Sequence, residues 1–163
     1  MKTKFLFLGI FLLLVLFFNS CSNQNKLEEE NKIIAESFIE SINNRELNKL
    51  ILLFADDCLY EEVASGRSYS NKEGIAAYIK ATLSGVPDSK FEINSILANN
   101  KMAAVEWNWK GTNTVGWKEM GIPATGKYFE IRGVSVLEIN NKLIRRVSDY
   151  WDWETFLKGI GVE

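Results

Sequence analysis

The residues best suited to chemistry lie near the end of the chain, in residues 141–153, where the pattern predicts a strand. Successive side chains of a strand point to opposite faces of its sheet. One face then carries Asp149 between the apolar side chains of Val147 and Trp151. A carboxyl group on an apolar face loses hydration, which raises its pKa and suits it to act as a general acid or base near neutral pH.

The residues around Asp149 leave three roles open for its carboxyl group. It is a catalytic acid or base, a ligand contact without turnover, or one half of a structural ion pair with Arg132 or Arg145. The alternation places Leu143 and Arg145 on the same face as Asp149. A partner is required in every case, because burying an unpaired carboxylate costs several kcal/mol.

Aromatic residues offer the walls of a pocket for a flat, hydrophobic ligand. All five tryptophans lie in the C-terminal half of the chain, and the alternative for at least two of them is a place in the core or in a dimer interface. They are Trp107, Trp109, Trp117, Trp151 and Trp153. Tyr60 and Tyr78 add phenol donors at the mouth of such a pocket, or cap the core.

Composition excludes several classes of site. The chain has no histidine, which rules out Ser-His-Asp and Cys-His catalysis and histidine-containing metal sites. No loop shows the alternating acidic pattern of a calcium site, so no metal or cofactor is expected. With 21 acidic residues against 19 basic ones, the chain lacks the positive balance that nucleic-acid binding favours.

The N-terminus predicts export and a lipid anchor. Lys2 and Lys4 precede an apolar run over residues 5–18, which is shorter than the ~20 residues of a membrane span and typical of a signal peptide over residues 1–20. Ser20-Cys21 then resembles a bacterial lipobox, in which the cysteine is lipidated; the alternative is an ordinary signal peptide with Cys21 as a chance thiol. Residues 21–30 form the predicted tether, and Cys58 is left without a disulfide partner.

Hydrophobic periodicity predicts helices early in the chain and strands late. This order favours an α+β fold in which a strongly curved antiparallel sheet wraps around the N-terminal helices as a cone with an apolar mouth. The predicted helices are 27–43, 46–54 and one from Asn71, its predicted cap, to 85, with a terminal helical turn at 155–160; the predicted strands are 55–62, 91–97, 102–111, 127–140 and 143–153. In three of these strands, alternation places one set of side chains on a common face, which we expect to be the inner one: Phe91, Ile93, Ser95 and Leu97; Ala103, Val105, Trp107 and Trp109; and Phe129, Ile131, Ser135, Leu137 and Ile139.

Four segments carry a resemblance to a known family. They are 109–114, the loop Gly121-Ile-Pro-Ala-Thr-Gly-Lys127, the strand Phe129-Glu-Ile-Arg-Gly-Val134 and 146–152. Together they resemble the SnoaL-like polyketide cyclase, or predicted ester cyclase, family of the nuclear transport factor 2-like superfamily. The resemblance covers residues 31–156 and implies a cone-shaped, cystatin-like α+β barrel over residues 31–163, as in ketosteroid isomerase and limonene epoxide hydrolase.

The resemblance also implies a role for Asp149. Cyclases of the family use an aspartate on this strand as acid or base, and Asp149 matches it. The family's His-Trp pair is replaced here by Val147 and Ser148, and Asn113 stands where a histidine often follows Gly-Thr. In a cyclase Asp149 would exchange a proton with a ketone-enol system beside a carbonyl, without a cofactor. Other domains of the superfamily bind ligands without turning them over.

Two functions therefore remain. The first is a lipid-anchored domain that binds a small hydrophobic molecule, which the missing histidines and the predicted anchor favour. The second is a cofactor-independent cyclase or isomerase, which the retained Asp149 favours. Either would sit on a bacterial cell membrane, with homodimerisation through the open sheet face. The expected pocket is lined by Tyr60, Tyr78, Trp107, Trp109, Trp117, Val147 and Trp151.

Overall fold

Six strands and four helices make up the part of the chain that the computed structural model describes, residues 24–162. The predicted signal peptide and Cys21 lie outside these residues. In chain order the elements are α1 (24–43), α2 (Leu47–Leu52), β1 (Phe54–Glu62), β2 (Arg67–Ser70), α3 (Asn71–Gly85), β3 (Lys90–Ala98), β4 (Met102–Thr112), a 3-10 turn (Lys118–Met120), β5 (Tyr128–Asn140), β6 (Leu143–Trp151) and α4 (Trp153–Ile160).

The strands form one curved sheet in the order β2-β1-β6-β5-β4-β3, which does not close. The expected α+β arrangement of a curved sheet and helices is confirmed. The sheet is not wholly antiparallel, because β1 and β6, the second and third strands in this order, run parallel. These two strands are joined through four other strands rather than by a hairpin, and parallel neighbours require such a long connection.

The core lies between the inner face of the sheet and the helices. Phe38 of α1 and Ile75 of α3 are completely or almost completely buried there. The alternation predicted for β4 and β5 is confirmed, since the residues expected on their inner faces are buried: Ala103, Val105, Trp107, Trp109, Phe129, Ile131, Ser135, Leu137 and Ile139. Asn71 makes the capping hydrogen bond predicted for it, because its Oδ1 accepts from the backbone N–H of Gly74 at 2.8 Å, although Ser70 is the residue that precedes the helix.

A bulge corrects the predicted faces of β6. Glu138 of β5 pairs with Arg146, whereas the next residue, Ile139, pairs with Ile144. Arg145 is therefore an extra residue, and the alternation restarts on either side of it. Ile144 is buried, while Leu143 and Arg145 are exposed and do not share the inner face of Asp149.

Other features also differ from the predictions. The helix predicted over 46–54 ends at Leu52, and Phe54 begins β1. A register shift in β3 leaves Leu97 73% exposed, although the simple alternation placed it on the inner face. The four-residue strand β2 was not predicted, because it is too short for a period to show. The helix α1 begins at residue 24, three residues before its predicted start at residue 27, so it includes most of the predicted tether. Within residues 24–162 no helix combines the length and apolar character that crossing a membrane requires.

Candidate functional site

Asp149 lies on β6 between the two strands that supply its hydrogen-bond donors. Its side chain is buried, with the residue 7% exposed. Tyr60 of β1 donates its phenol O–H to Oδ2, and Ser135 of β5, directly opposite in the register, donates its hydroxyl to Oδ1 at 2.6 Å. Trp107 of β4 donates its indole N–H to Ser135 Oγ at 2.9 Å. Four adjacent strands thus build one buried polar chain in an otherwise apolar interior.

This environment brings the pKa of the Asp149 carboxyl group close to neutral pH. Burial raises the pKa of Asp149 from its usual 3.8 to about 6, the hydrogen bonds from Ser135 and Tyr60 oppose the rise, and the Glu62 carboxylate adds to it. Burial and the charge of Asp149 raise the pKa of Tyr60 well above 10, so the phenol stays protonated and keeps donating. A carboxyl group with a pKa near 6 exchanges a proton readily at neutral pH.

The ion pair considered for Asp149 is absent among the described residues. Arg145 instead pairs with Asp57, and Arg132 pairs with Glu106. Both arginines are exposed to solvent. Two hydroxyl groups therefore stabilise the buried carboxylate in place of a cation.

A small inner cavity of about 30 Å³ adjoins Asp149. This volume admits a water molecule or two rather than an organic ring system, since one water needs roughly 10–15 Å³ on this measure. Its walls come from α1, α3 and the inner face of the sheet: Phe38, Ile39, Ile42, Tyr60, Glu62, Tyr78, Ile79, Thr82, Leu83, Phe91, Trp107, Trp109, Ser135, Asp149 and Trp151.

A larger outer cavity of about 680 Å³ opens beyond it. The two cavities share a boundary made of Glu62, Tyr78, Thr82, Trp109 and Trp151. Seven of its sixteen lining residues are aromatic, and the residues beyond the shared boundary come from β2, α3, the 113–127 loop and α4. The residues that line only the outer cavity are Arg67, Tyr69, Gly74, Ala77, Ala81, Trp117, Glu119, Met120, Ile122, Trp153 and Phe156.

Trp117 holds the loop wall of the outer cavity against α3. Its indole N–H donates to the carbonyl oxygens of Ala81 and Thr82, at 3.1 and 3.2 Å. Its ring lies directly on Gly85, where a Cβ would come within 2.1 Å of it. The C-terminal carbonyls of a helix lack intrahelical donors, so a tryptophan is a suitable partner for them. Both features tie the cavity wall to the end of α3.

Comparison with known proteins identifies the family. Residues 35–147 match the profile of the SnoaL-like domain. The chain belongs to the SnoaL-like domain family. No functionally curated protein has a significantly similar sequence.

Solved structures share the fold of this SnoaL-like domain. A protein of Jannaschia sp. CCS1 described as a SnoaL-like polyketide cyclase superimposes with a TM-score of 0.76 at 11% identity, over 84% of this chain and 95% of that chain. TsrD from Streptomyces laurentii superimposes with a TM-score of 0.72 at 18% identity, over 83% of this chain and 97% of that chain. The third is a protein of Catenulispora acidiphila with a ketosteroid isomerase-like fold, which was solved in complex with trimethylamine. It superimposes with a TM-score of 0.69 at 18% identity, over 80% of this chain and 93% of that chain.

Most residues predicted for the pocket of the SnoaL-like domain meet at these two cavities. Tyr60, Trp107 and Asp149 line the inner cavity, Trp117 lines the outer one, and Tyr78, Trp109 and Trp151 line both. Val147 does not belong with them. It is completely buried in the core and lines neither cavity, so its assignment to the pocket is corrected.

Asn113, which occupies a histidine position of the family, holds the 113–127 loop together. It is completely buried, and its side-chain amide donates to the Pro123 carbonyl at 2.9 Å and to Thr125 Oγ1 at 3.2 Å. Its backbone pairs with Thr125, Gly126 and Lys127. Asn113 lines neither cavity.

Sequence reasoning missed Glu62, Arg67 and Ser135 as site residues. Glu62 is two residues after Tyr60 on β1, so strand alternation already places both on the inner face. Ser135 was assigned to the inner face of β5, but its contact with Asp149 depends on the strand register. Arg67 lies on the unpredicted strand β2. Residues 24–162 contain no cluster of three or more acidic or cysteine side chains arranged to hold a metal ion.

Proposed function

We propose that this SnoaL-like domain binds a small, largely apolar molecule in the outer cavity, without covalent or proton-transfer chemistry at Asp149. The observation that carries the proposal is the contrast between the two cavities. The outer one has room for an organic molecule and aromatic walls, which is typical of a ligand site. The inner one, where Asp149 lies, has room for little more than water.

The contacts of Asp149 support a structural role in this binding domain. Both of its oxygens already accept hydrogen bonds from protein hydroxyl groups. A substrate would reach the carboxyl group only through the inner cavity, which has room for little more than water. The buried polar chain instead fixes the floor of the pocket, because each of its members depends on the next for a partner.

Calorimetric titration of the full chain with 1-tetralone, a flat neutral ketone, tests binding. The protein is purified in detergent and empty micelles serve as the reference. We expect saturable binding that Trp117→Ala weakens by about tenfold, since that change removes one aromatic wall. Tyr150→Ala, on the outer face of the sheet, is the matched control and leaves the affinity unchanged. Absence of saturable binding, or equal losses in both variants, would contradict the proposal.

A second candidate function is a cofactor-independent cyclase or isomerase with Asp149 as general acid or base. The observation that favours it is the pKa of Asp149 of about 6, in a site that a bound ketone could approach through the shared boundary of the cavities. It predicts protein-catalysed exchange of the α-hydrogens of 1-tetralone in D₂O, measured by proton NMR. Asp149→Asn should abolish the exchange and Ser148→Ala should preserve it; no exchange by the wild-type chain excludes this function.

We also propose that the domain is exported and anchored to a bacterial cell membrane by lipid on Cys21. The support is the positively charged start, the apolar run of residues 5–18 and the Ser20-Cys21 pair. The expected result for Cys21→Ala is that lipid labelling disappears and the protein loses its stable membrane association. Unlabelled wild-type protein, or unchanged labelling of the variant, would overturn the lipid anchor.

A further inference from the structure

Glu62 is a buried carboxylate that the proposed site leaves unexplained. It is 5% exposed and lies at the boundary between the inner and outer cavities. Tyr78 donates its phenol O–H to Oε1 at 3.1 Å, and Ser65 donates its hydroxyl to Oε2. The pocket therefore places a negative charge among aromatic rings, where two hydroxyl groups hydrogen-bond to it and a nearby cation would stabilise it further.

Arg67 shows that this position accepts a cation. Its guanidinium carbon lies 5.9 Å from the centroid of the Trp153 ring, within the range of a cation–π interaction. Its Nη1 is 3.9 Å from Glu62 Oε2, at the outer limit of an ion pair, and 3.4 Å from Met120 Sδ. The side chain is 40% exposed, so Arg67 covers the mouth of the outer cavity without being buried in it.

The charges that line the two cavities are mainly negative. Glu62, Glu119 and Asp149 are acidic, and among the described lining residues Arg67 is the one that carries a positive charge. A long, half-exposed ion pair neutralises a carboxylate only in part, because solvent screens it. A positively charged ligand would therefore interact favourably with both the Glu62 carboxylate and the faces of the surrounding rings.

We propose that the outer cavity selects an organic cation, with its charged group between Glu62 and Trp153 in the place that the Arg67 guanidinium reaches. This proposal rests on the proposed binding function and deepens it. A quaternary ammonium group fits best, because both Glu62 oxygens already accept hydrogen bonds and a further N–H donor is not required. The methyl groups of such a ligand lie against the rings, and Arg67 moves outward to solvent when the ligand enters.

Choline and 3,3-dimethylbutan-1-ol test the proposal, because they have the same shape and differ in charge. Each is titrated calorimetrically into the full chain in detergent. We expect choline to bind more tightly than its neutral isostere by about tenfold, the factor given by a favourable cation–π and carboxylate contact. Glu62→Gln, which keeps hydrogen-bonding groups toward Tyr78 and Ser65, should reduce that preference to about one, because the charge is lost.

Arg67→Gln is the more decisive variant. If Arg67 competes with the ligand, the substitution increases the affinity for choline, and if Arg67 binds the ligand, the substitution decreases it. Removing a competing cation should tighten choline binding by about threefold or more and leave the neutral isostere unchanged. An arginine that itself binds the ligand would instead make the variant weaker. Glu106→Gln and Arg132→Gln, which break an ion pair on the opposite face of the sheet, are the matched controls and change neither affinity.

Equal binding of choline and its isostere, or weaker choline binding by Arg67→Gln, overturns the cation proposal and leaves the binding function standing. Absence of choline binding overturns the cation proposal even when 1-tetralone binds, and absence of binding by 1-tetralone as well overturns both. Near-ultraviolet circular dichroism of each variant confirms that the aromatic core is intact, so a loss of binding is assigned to the charge and not to unfolding.

Discussion

At the scale of single residues, the burial of Asp149 lowers the stability of the folded state at pH 7 and gives the chain a carboxyl group that titrates near neutral pH. A fully paired carboxylate with a low pKa would stabilise the folded state at pH 7. Asp149 has the opposite property, because burial outweighs the two hydroxyl donors that favour its charged form. The charge is therefore maintained in the core at a free-energy cost, and this cost can be measured.

The pH dependence of stability gives the first prediction. The pKa of Asp149 is about 6 in the folded chain and 3.8 when unfolded, so the folded state holds the proton more tightly. Its stabilising contribution is then complete below pH 3.8 and is lost as the pH rises through 6. The side chain of Asp149→Asn does not titrate. The free energy of unfolding of this variant, measured by urea unfolding, should therefore increase relative to that of the wild type by roughly 3 kcal/mol as the pH is raised from 3.5 to 7. A difference that is constant with pH would contradict the shifted pKa.

Ser135 gives the second prediction, because its hydroxyl group serves two partners at once. Ser135→Ala removes a donor from Asp149 Oδ1 and the acceptor of the Trp107 indole N–H. The pKa of Asp149 should rise further, as followed by carboxyl-carbon NMR, and the chain should lose about 1–3 kcal/mol because a buried donor is left unsatisfied. Ser148→Ala is the control: its hydroxyl donates to Glu61 instead, so the pKa of Asp149 stays the same.

Sequence alone predicted Asp149 but not its partners. Alternation along one strand needs no knowledge of the rest of the fold, so the apolar neighbours of Asp149 were visible in the chain itself. Its contact with Ser135 requires the pairing of β5 with β6, and its contact with Tyr60 requires β1 beside β6. Strand pairing depends on the whole sheet and cannot be read from one strand. The sequence therefore indicated only oppositely charged residues, Arg132 and Arg145, as partners for Asp149.

At the scale of elements, the end of α3 controls the outer cavity through Gly85 and Trp117. A Cβ on Gly85 would come within 2.1 Å of the Trp117 ring, so Gly85→Ala must move the indole away from the helix. We expect a red-shifted tryptophan fluorescence and loss of 1-tetralone binding, as the ring leaves the Ala81 and Thr82 carbonyls and becomes hydrated.

The neighbouring substitution Ser84→Ala controls for the effect of altering α3 itself. Ser84 is exposed, and its hydroxyl donates to the carbonyl of Ala81 within the same helix. Its removal should leave the fluorescence and the affinity for 1-tetralone as they are in wild type. A Gly85→Ala variant with native fluorescence would show that Trp117 does not depend on the close approach that the structure contains.

The elements themselves were largely predictable, whereas their irregularities were not. Long periodic segments such as β4 and β5 bury one face along their whole length, and that regularity is visible in sequence. The bulge at Arg145 inserts one residue into β6. Strict alternation continued through this residue therefore assigns the side chains on one side of it to the wrong face of the sheet. The short strand β2 gave no period, yet it positions Arg67 at the cavity mouth.

At the scale of the whole molecule, the outer face of the sheet is proposed to pair two copies of the chain. This face carries the exposed side chains of Leu97 and Tyr150, which are 73% and 47% accessible, beside Ala104 and Val134. Apolar side chains grouped on an open sheet mark an interaction surface more often than scattered ones do. We expect a homodimer at micromolar concentration by light scattering in detergent, after correction for the bound detergent.

Leu97→Asp is the variant that tests this interface, because it places a charge among the apolar side chains of both copies. It should convert the dimer to a monomer, since an unpaired charge at an interface costs several kcal/mol. Leu52→Asp on α2 is the matched control: Leu52 is also 73% exposed but lies away from the sheet, so this variant remains dimeric. The outer face shares no lining residue with either cavity, so monomeric Leu97→Asp should still bind 1-tetralone. A monomeric wild-type chain, or a dimer that survives Leu97→Asp, would place the interface elsewhere or remove it.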